Sequence, residues 1–167
     1  MIPGDSRNAA ACPWTSIVTS PAVVVMARLL VFACSLMAGR MIALKREYRA
    51  IPCAVRGHES QLQQAFMNLL LNAVEAMAGG GELAVVTEIG VAPSGVRRLK
   101  IHIRDTGSGI AEENLARVFD TFFTTKKNGT GLGLAICRRV AHEHHGELEV
   151  HSEPGKGAVF IVSLPVD

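Results

Sequence analysis

The sequence lacks a charge excess, a cysteine framework and a hydrophobic run long enough to span a bilayer. Lysine and arginine number 17 against 15 acidic residues, a formal net charge of +2 spread along the chain. That leaves no electrostatic footprint for nucleic acid. The densest basic stretch, 45–49, reads as a solvated strand edge. The four cysteines, Cys12, Cys34, Cys53 and Cys137, form no CxxC pair and no metal spacing. They read as buried free thiols in a reducing, cytoplasmic compartment. The apolar run at 22–38 falls short of the ~20 residues a transmembrane helix needs, and Arg28 interrupts it. It lacks the basic flank of a signal peptide. The expectation is a helix packed on a sheet, with no membrane contact. There is no internal repeat.

What remains is a globular composition, 49% apolar and 19% charged, in 167 residues. Residues 1–14 mix Pro, Gly, Ser and Ala without periodicity and read as a loose tail, leaving one domain over 15–167. The pattern predicts a helix from Pro21 to Gly39, a strand at 41–48, and a short extended piece at 51–55. A second helix is expected from Glu59 to Ala78, stopped by the glycines at 79–81. Strands at 82–89 and 98–105 form a hairpin across the turn at 90–95. A long loop over 106–130 carries one helical turn near 112–118. A helix then runs from 131–133 to His145, and strands at 147–152 and 158–164 close the chain. Helices with a mixed, mostly antiparallel sheet predict an α+β fold, a two-layer sandwich with the helices on one face.

Three clusters stand out. On the second helix, Leu62, Phe66, Leu69, Leu70, Ala73 and Met77 form an apolar face, and Gln61, Gln64, Asn68, Asn72 and Glu75 fall on a narrow polar stripe. Asparagine is a middling helix former, and its amide needs partners when buried. The stripe reads equally as a plain solvated face or as a ligand-facing one. The second cluster, Asp-Thr-Gly-Ser-Gly-Ile at 105–110, puts a carboxylate at a strand end beside a backbone that a ligand can approach. By itself it is an ordinary turn. The third, Asn-Gly-Thr-Gly-Leu-Gly-Leu-Ala-Ile at 128–136, feeds alternating glycines into a helix start, an arrangement suited to phosphate. It is neither a GxxxxGK[ST] loop nor a GxGxxG turn. Just upstream, Phe-Phe-Thr-Thr-Lys-Lys at 122–127 supplies hydroxyls and cations.

Taken in order, these motifs resemble the ATP-binding catalytic domain of bacterial sensor histidine kinases. That domain belongs to the wider group of gyrase, heat-shock chaperone and MutL-like ATPases. NLLLNAVEAM and FFTTK look most like the nitrogen-regulation type. The resemblance covers residues 15–165 and implies ATP and Mg²⁺ as cofactors. It implies that Asn72 holds Mg²⁺ against the phosphates with Asn68 in support, an amide oxygen being a hard neutral ligand. It matches Asp105 to the acceptor of the adenine amino group, and Gly107, Gly109 and Ile110 to the residues beside the base. Phe122, Thr124, Thr125 and Lys126 match the hinged lid. Gly129, Thr130, Gly131, Leu132, Gly133 and Leu134 match its phosphate-cradling end. Lys126 or Lys127 is expected to reach the γ-phosphate, so Asn68, Asn72 and Lys126 are the catalytic candidates.

The hydrolytic members of that group resemble one another in a glutamate four residues before the Mg²⁺ asparagine. Here that residue is Asn68, so transfer to a protein side chain is favoured over hydrolysis. His58, Ala158 and Glu147 depart from the family's usual Asp, Ser or Thr, and Gly. The cluster Ala-His-Glu-His-His at 141–145 is not HExxH, and His145 matches the family's His-Gly helix end. The phosphoacceptor hairpin of histidine kinases has no counterpart in the sequence. The implied partner is therefore a histidine phosphoacceptor and dimerisation domain on a separate domain or chain, with a response regulator receiver domain acting indirectly. Two other functions suit the same fold: a stand-alone serine kinase of the anti-sigma type, and a non-catalytic nucleotide-binding interaction module. FFTTK argues against the first, and intact Asn72, Asp105 and GTGLGL against the second.

Overall fold

The computed structural model describes residues 41–49, 55, 57–92, 95–127 and 129–166. The expected tail at 1–14, the helix at 21–39 and most of the extended piece at 51–55 lie outside the described residues. Within them the order is β1 (Ile42–Tyr48), α1 (Glu59–Ala76), β2 (Gly81–Val91), β3 (Arg97–Asp105), α2 (Glu112–Leu115), α3 (Gly133–Glu143), β4 (Glu147–Glu153) and β5 (Gly157–Pro165).

The five strands form one sheet in the order β1-β2-β3-β5-β4. β1 runs parallel to β2, in register Leu44 opposite Leu83. The other neighbours are antiparallel, with Ile101 opposite Thr87 on one side and Val162 on the other. The sheet is thus mixed and mostly antiparallel, and α1 and α3 pack on one of its faces. Alternation along β3 decides which face. Leu99, Ile101, Ile103 and Asp105 are buried, whereas Arg98, Lys100, His102 and Arg104 point the other way and stay at least partly exposed. Among the described residues β1 is an outer strand, and its exposed Lys45 and Arg46 disfavour further strand pairing there.

α1 forms because its apolar residues recur at helical spacing. Leu62, Phe66, Leu69, Leu70, Ala73 and Val74 are all buried against Leu83, Val85, Ile101 and Ile103. Each buried leucine contributes about 1.5–3 kcal/mol of transfer free energy. No side chain caps its first turn, although Glu59 sits favourably there against the helix dipole. Instead the chain entering α1 is tied to α3. The His58 amide donates to His144 Nε2 at 2.9 Å, and His144 Nδ1 donates to the Val140 carbonyl at 2.7 Å. His144, only 5% exposed, is thereby satisfied at both nitrogens. Cys137 of α3 is also buried against α1, and its thiol donates to the Ala65 carbonyl at 3.2 Å. Burial pushes that thiol up to about 12. Both helices end two residues earlier than their periodicity predicts, α1 at Ala76 and α3 at Glu143.

Candidate functional site

α1 presents its polar stripe along one wall of a cavity of about 760 Å³. The size falls within the range of small-molecule sites. Asn68, Asn72 and Glu75 line this wall; Asp105, Ser108, Gly109 and Ile110 line the floor; Phe123, Thr124, Thr125, Lys126 and the segment 129–131 form the opposite rim with Gly133 and Leu134. That part of the stripe faces the cavity, whereas Gln61 donates to Glu143 of α3 at 3.2 Å and Gln64 is exposed.

The two asparagines do different work. The Asn68 amide donates to the Gly133 carbonyl at 3.4 Å, across the α1–α3 contact. It fastens the start of α3 to α1. Asn72, one turn on, accepts a hydrogen bond from the Lys126 ammonium at 2.9 Å. The same ammonium pairs with Glu75. A cation thus already rests on the Asn72 amide oxygen, and that donor chemistry fits a hard divalent ion such as Mg²⁺.

Asp105 ends β3 and is 2% exposed. Its Oδ1 accepts from the Gly107 amide at 2.9 Å and the Ala158 amide at 3.3 Å. Among the described residues both of these bonds fall on Oδ1, which leaves Oδ2 to meet a donor on a ligand. Burial raises its pKa above the usual aspartate value, opposed by the Gly107 and Ala158 amides and the Lys126 charge. A desolvated carboxylate with two fixed amide partners is a rigid acceptor, suited to reading one amino group.

The floor is held by a network that composition does not reveal. The Ser108 amide donates to the Ala76 carbonyl at 3.1 Å, and Ser108's carbonyl accepts from the Gly155 amide at 2.7 Å. The Ser152 hydroxyl accepts from the Ile110 amide at 2.8 Å and donates to the Gly157 carbonyl at 2.7 Å. Gly109 has a φ of 69°, and a Cβ there would lie 2.1 Å from the Glu153 carbonyl oxygen. Only glycine fits this close approach.

The rim is a loop whose ends meet. The Phe122 amide donates to the Gly131 carbonyl at 2.9 Å. Both residues have positive φ, 68° and 66°, and a Cβ on Gly131 would lie 2.3 Å from the Phe122 carbonyl carbon. The left-handed backbone at Phe122 costs about 1–2 kcal/mol, the kind of strain that gathers at ligand clamps.

Four residues expected at the site do not line the cavity. Gly107 lies behind Asp105 and works through its amide. Phe122 is 74% exposed. Its neighbour Phe123 faces the cavity instead, under the Arg117 guanidinium at 4.6 Å from the ring centre. Lys127 is exposed away from the cavity. Leu132 lines a separate groove with Phe119, Ile136, Arg138, Arg139 and His142. Ala158, which stands where the family usually has Ser or Thr, lines the cavity, and the cavity adds Leu71, Ala111, Asn114, Val118 and Phe160, most of them apolar residues whose helix, strand and turn positions carry no separate signal in the sequence.

Residues 57–167 match the family described as "Histidine kinase-, DNA gyrase B-, and HSP90-like ATPase". The chain is 44% identical over 114 residues to sporulation kinase C of Bacillus subtilis (strain 168), covering 68% of this chain and 26% of that protein. It is 38% identical over 130 residues to the sensor histidine kinase ZraS of Klebsiella oxytoca, covering 78% of this chain and 27% of that one. The chain therefore spans about a quarter of the length of these relatives. Among solved structures, the catalytic domain of histidine kinase ThkA superposes with a TM-score of 0.74 at 27% identity, covering 85% of this chain and 92% of that one. The mycobacterial sensor histidine kinase MprB gives 0.70 at 28% identity, covering 84% and 94%. The chain belongs to the histidine kinase-, DNA gyrase B- and HSP90-like ATPase family, as an ATP-binding catalytic domain of the sensor histidine kinase kind.

Proposed function

We propose that the cavity between α1 and the 122–131 loop binds ATP with Mg²⁺, and that the γ-phosphoryl group passes to a histidine on a separate dimerisation and phosphoacceptor domain. From there a response regulator receiver domain would take it, in the cytoplasm. The observation that carries this reading is the convergence of Asn72, Asp105 and the glycine-rich rim on one cavity. It is joined by the absence of a glutamate at position 68.

In this reading Asp105 accepts from the adenine amino group, and Gly109 and Ile110 set the height of the floor beneath the base. Thr124, Thr125 and Thr130 offer hydroxyls, and the α3 start at Gly133 offers its first-turn amides, to phosphate oxygens. Lys126 is placed to balance charge on the γ-phosphoryl group. Asn72 would hold Mg²⁺, which when bound neutralises phosphate charge and aligns the phosphates for in-line transfer. Asn68 already donates to Gly133 and carries no carboxylate, so it does not serve as a base for water. Transfer then depends on positioning by this chain and on a nucleophile from another domain.

The test combines the chain, γ-labelled ATP with Mg²⁺, and separate phosphoacceptor hairpins. Acid-labile, base-stable label on a hairpin histidine is expected. Label on a partner serine, with none on histidine, would support the serine-kinase alternative instead.

A further inference from the structure

Lys126 is the one loop cation that reaches α1 among the described residues, and its position there is specific. Its ammonium donates to Asn72 Oδ1 at 2.9 Å and to Glu75 Oε2. Asn72 and Glu75 lie three residues apart on α1, so their side chains rise from the same face. A neutral amide oxygen and a carboxylate oxygen therefore converge on one point, and a positive charge occupies it. Oxygen pairs of this kind suit divalent ions with hard, oxygen-seeking chemistry.

We infer that Asn72 and Glu75 together form a single cation seat, held by the Lys126 ammonium when nucleotide is absent and surrendered to the divalent ion that arrives with the nucleotide. This deepens the reading of the cavity as a nucleotide site and rests on it. An ammonium and a divalent ion cannot share two oxygens, because their repulsion is uncompensated at contact distance. Binding of the metal therefore expels Lys126. Expulsion breaks the tie between the loop and α1 and frees the ammonium for phosphate oxygens. Glu75 gains two roles: it holds the loop down in the empty domain and adds a carboxylate to the metal's surroundings. It is a positioning residue for Lys126 before it is anything else. The pair is half exposed, with Lys126 at 44% and Glu75 at 51%. The latch is accordingly weak enough to be displaced.

Mn²⁺ alone, without nucleotide, is the probe, read by paramagnetic broadening of the Asn72 side-chain amide signals in the full chain. Lys126→Met removes the competitor and should lower the Mn²⁺ concentration at half-broadening roughly two- to fivefold, the range of a half-exposed ion pair. Adding Glu75→Gln to the Lys126→Met chain removes a ligand and should raise the midpoint again. Both side chains are half exposed and lie outside the buried core, so the variants should nearly keep the native melting temperature. A midpoint unmoved by Lys126→Met, or unmoved when Glu75→Gln is added to it, overturns the inference. Binding of ADP with Mg²⁺ is measured alongside. If the chain binds Mg²⁺-ADP but the Mn²⁺ midpoints do not move, the seat alone is wrong. If it binds no nucleotide at all, the reading of the cavity falls and the seat's role falls with it.

Discussion

Replacing Asp105 by asparagine should separate stability from binding. The amide is nearly isosteric, so its oxygen can keep the Gly107 and Ala158 bonds made by Oδ1. Its nitrogen then takes the place of Oδ2 and presents a donor where, in the proposed reading, the adenine amino group would also donate. Losing a hydrogen bond to a charged acceptor costs about 2–3 kcal/mol, or roughly 30- to 150-fold in affinity. Stability should move the other way. The carboxyl is held above its ordinary value of 3.8 chiefly by burial. Because the folded value exceeds the unfolded one, the folded chain keeps the proton longer. The native chain therefore loses stability as pH rises from the ordinary aspartate value through the raised folded value, and the loss is constant above that. Asp105→Asn removes this loss, so at neutral pH its melting temperature should equal or exceed that of the native chain. The assay is calorimetric titration with a non-hydrolysable ATP analogue and Mg²⁺, paired with thermal melts without nucleotide at pH 4 and pH 7. The stability gain of the variant should be larger at pH 7. Unchanged affinity, or a variant less stable at neutral pH, would refute the assignment of Asp105 as a desolvated base acceptor.

Gly131→Ala should break the contact between the loop ends, since the new Cβ meets the Phe122 backbone and the positive φ disfavours alanine. Analogue affinity should fall about tenfold, with the melting temperature nearly unchanged because the loop is exposed; calorimetry and melts check both. Leu69→Ala removes a fully buried side chain between α1 and the sheet. It should destabilise the domain by about 2–5 kcal/mol in urea titrations. Cys137, buried and with its thiol pushed up to about 12, should resist iodoacetamide at pH 8 until the chain unfolds. Mass mapping of the Cys137 peptide reads this directly, and rapid labelling of native chain would contradict the packing of α3 on α1.

The elements were legible where one periodicity dominates. The alternation of 98–105 marks β3, and the leucine spacing of 59–76 marks α1, because each pattern has one buried face. Helix ends were less legible because tertiary bonds set them. Ser108 claims the Ala76 carbonyl, and the left-handed φ of His145 turns the chain toward β4. Of the candidate site, Asn72, Asp105, Gly109, Gly129, Gly131 and Gly133 stood out as residue types, and the structure brings them to one cavity. Which of Phe122 and Phe123 faces inward was not legible, because a left-handed residue breaks the alternation that would assign sides. Glu75 stood on the polar stripe, but its pairing with Lys126 spans 51 residues of sequence. No local pattern encodes that contact. Ser152 and His144 were likewise missed, since a hydroxyl in a strand or a histidine near a helix end has no signature until its neighbours are known.

The central claim is that Mg²⁺-ATP occupies the cavity between α1 and the 122–131 loop. Amide spectra recorded as a non-hydrolysable ATP analogue and Mg²⁺ are added test it most directly. Occupancy of that cavity predicts shifts gathered at Asn68, Asn72, Asp105, Gly109, 124–126, 129–131 and Gly133. Shifts centred on the groove of Arg138, Arg139 and His142, or no shifts at saturating analogue, would contradict it.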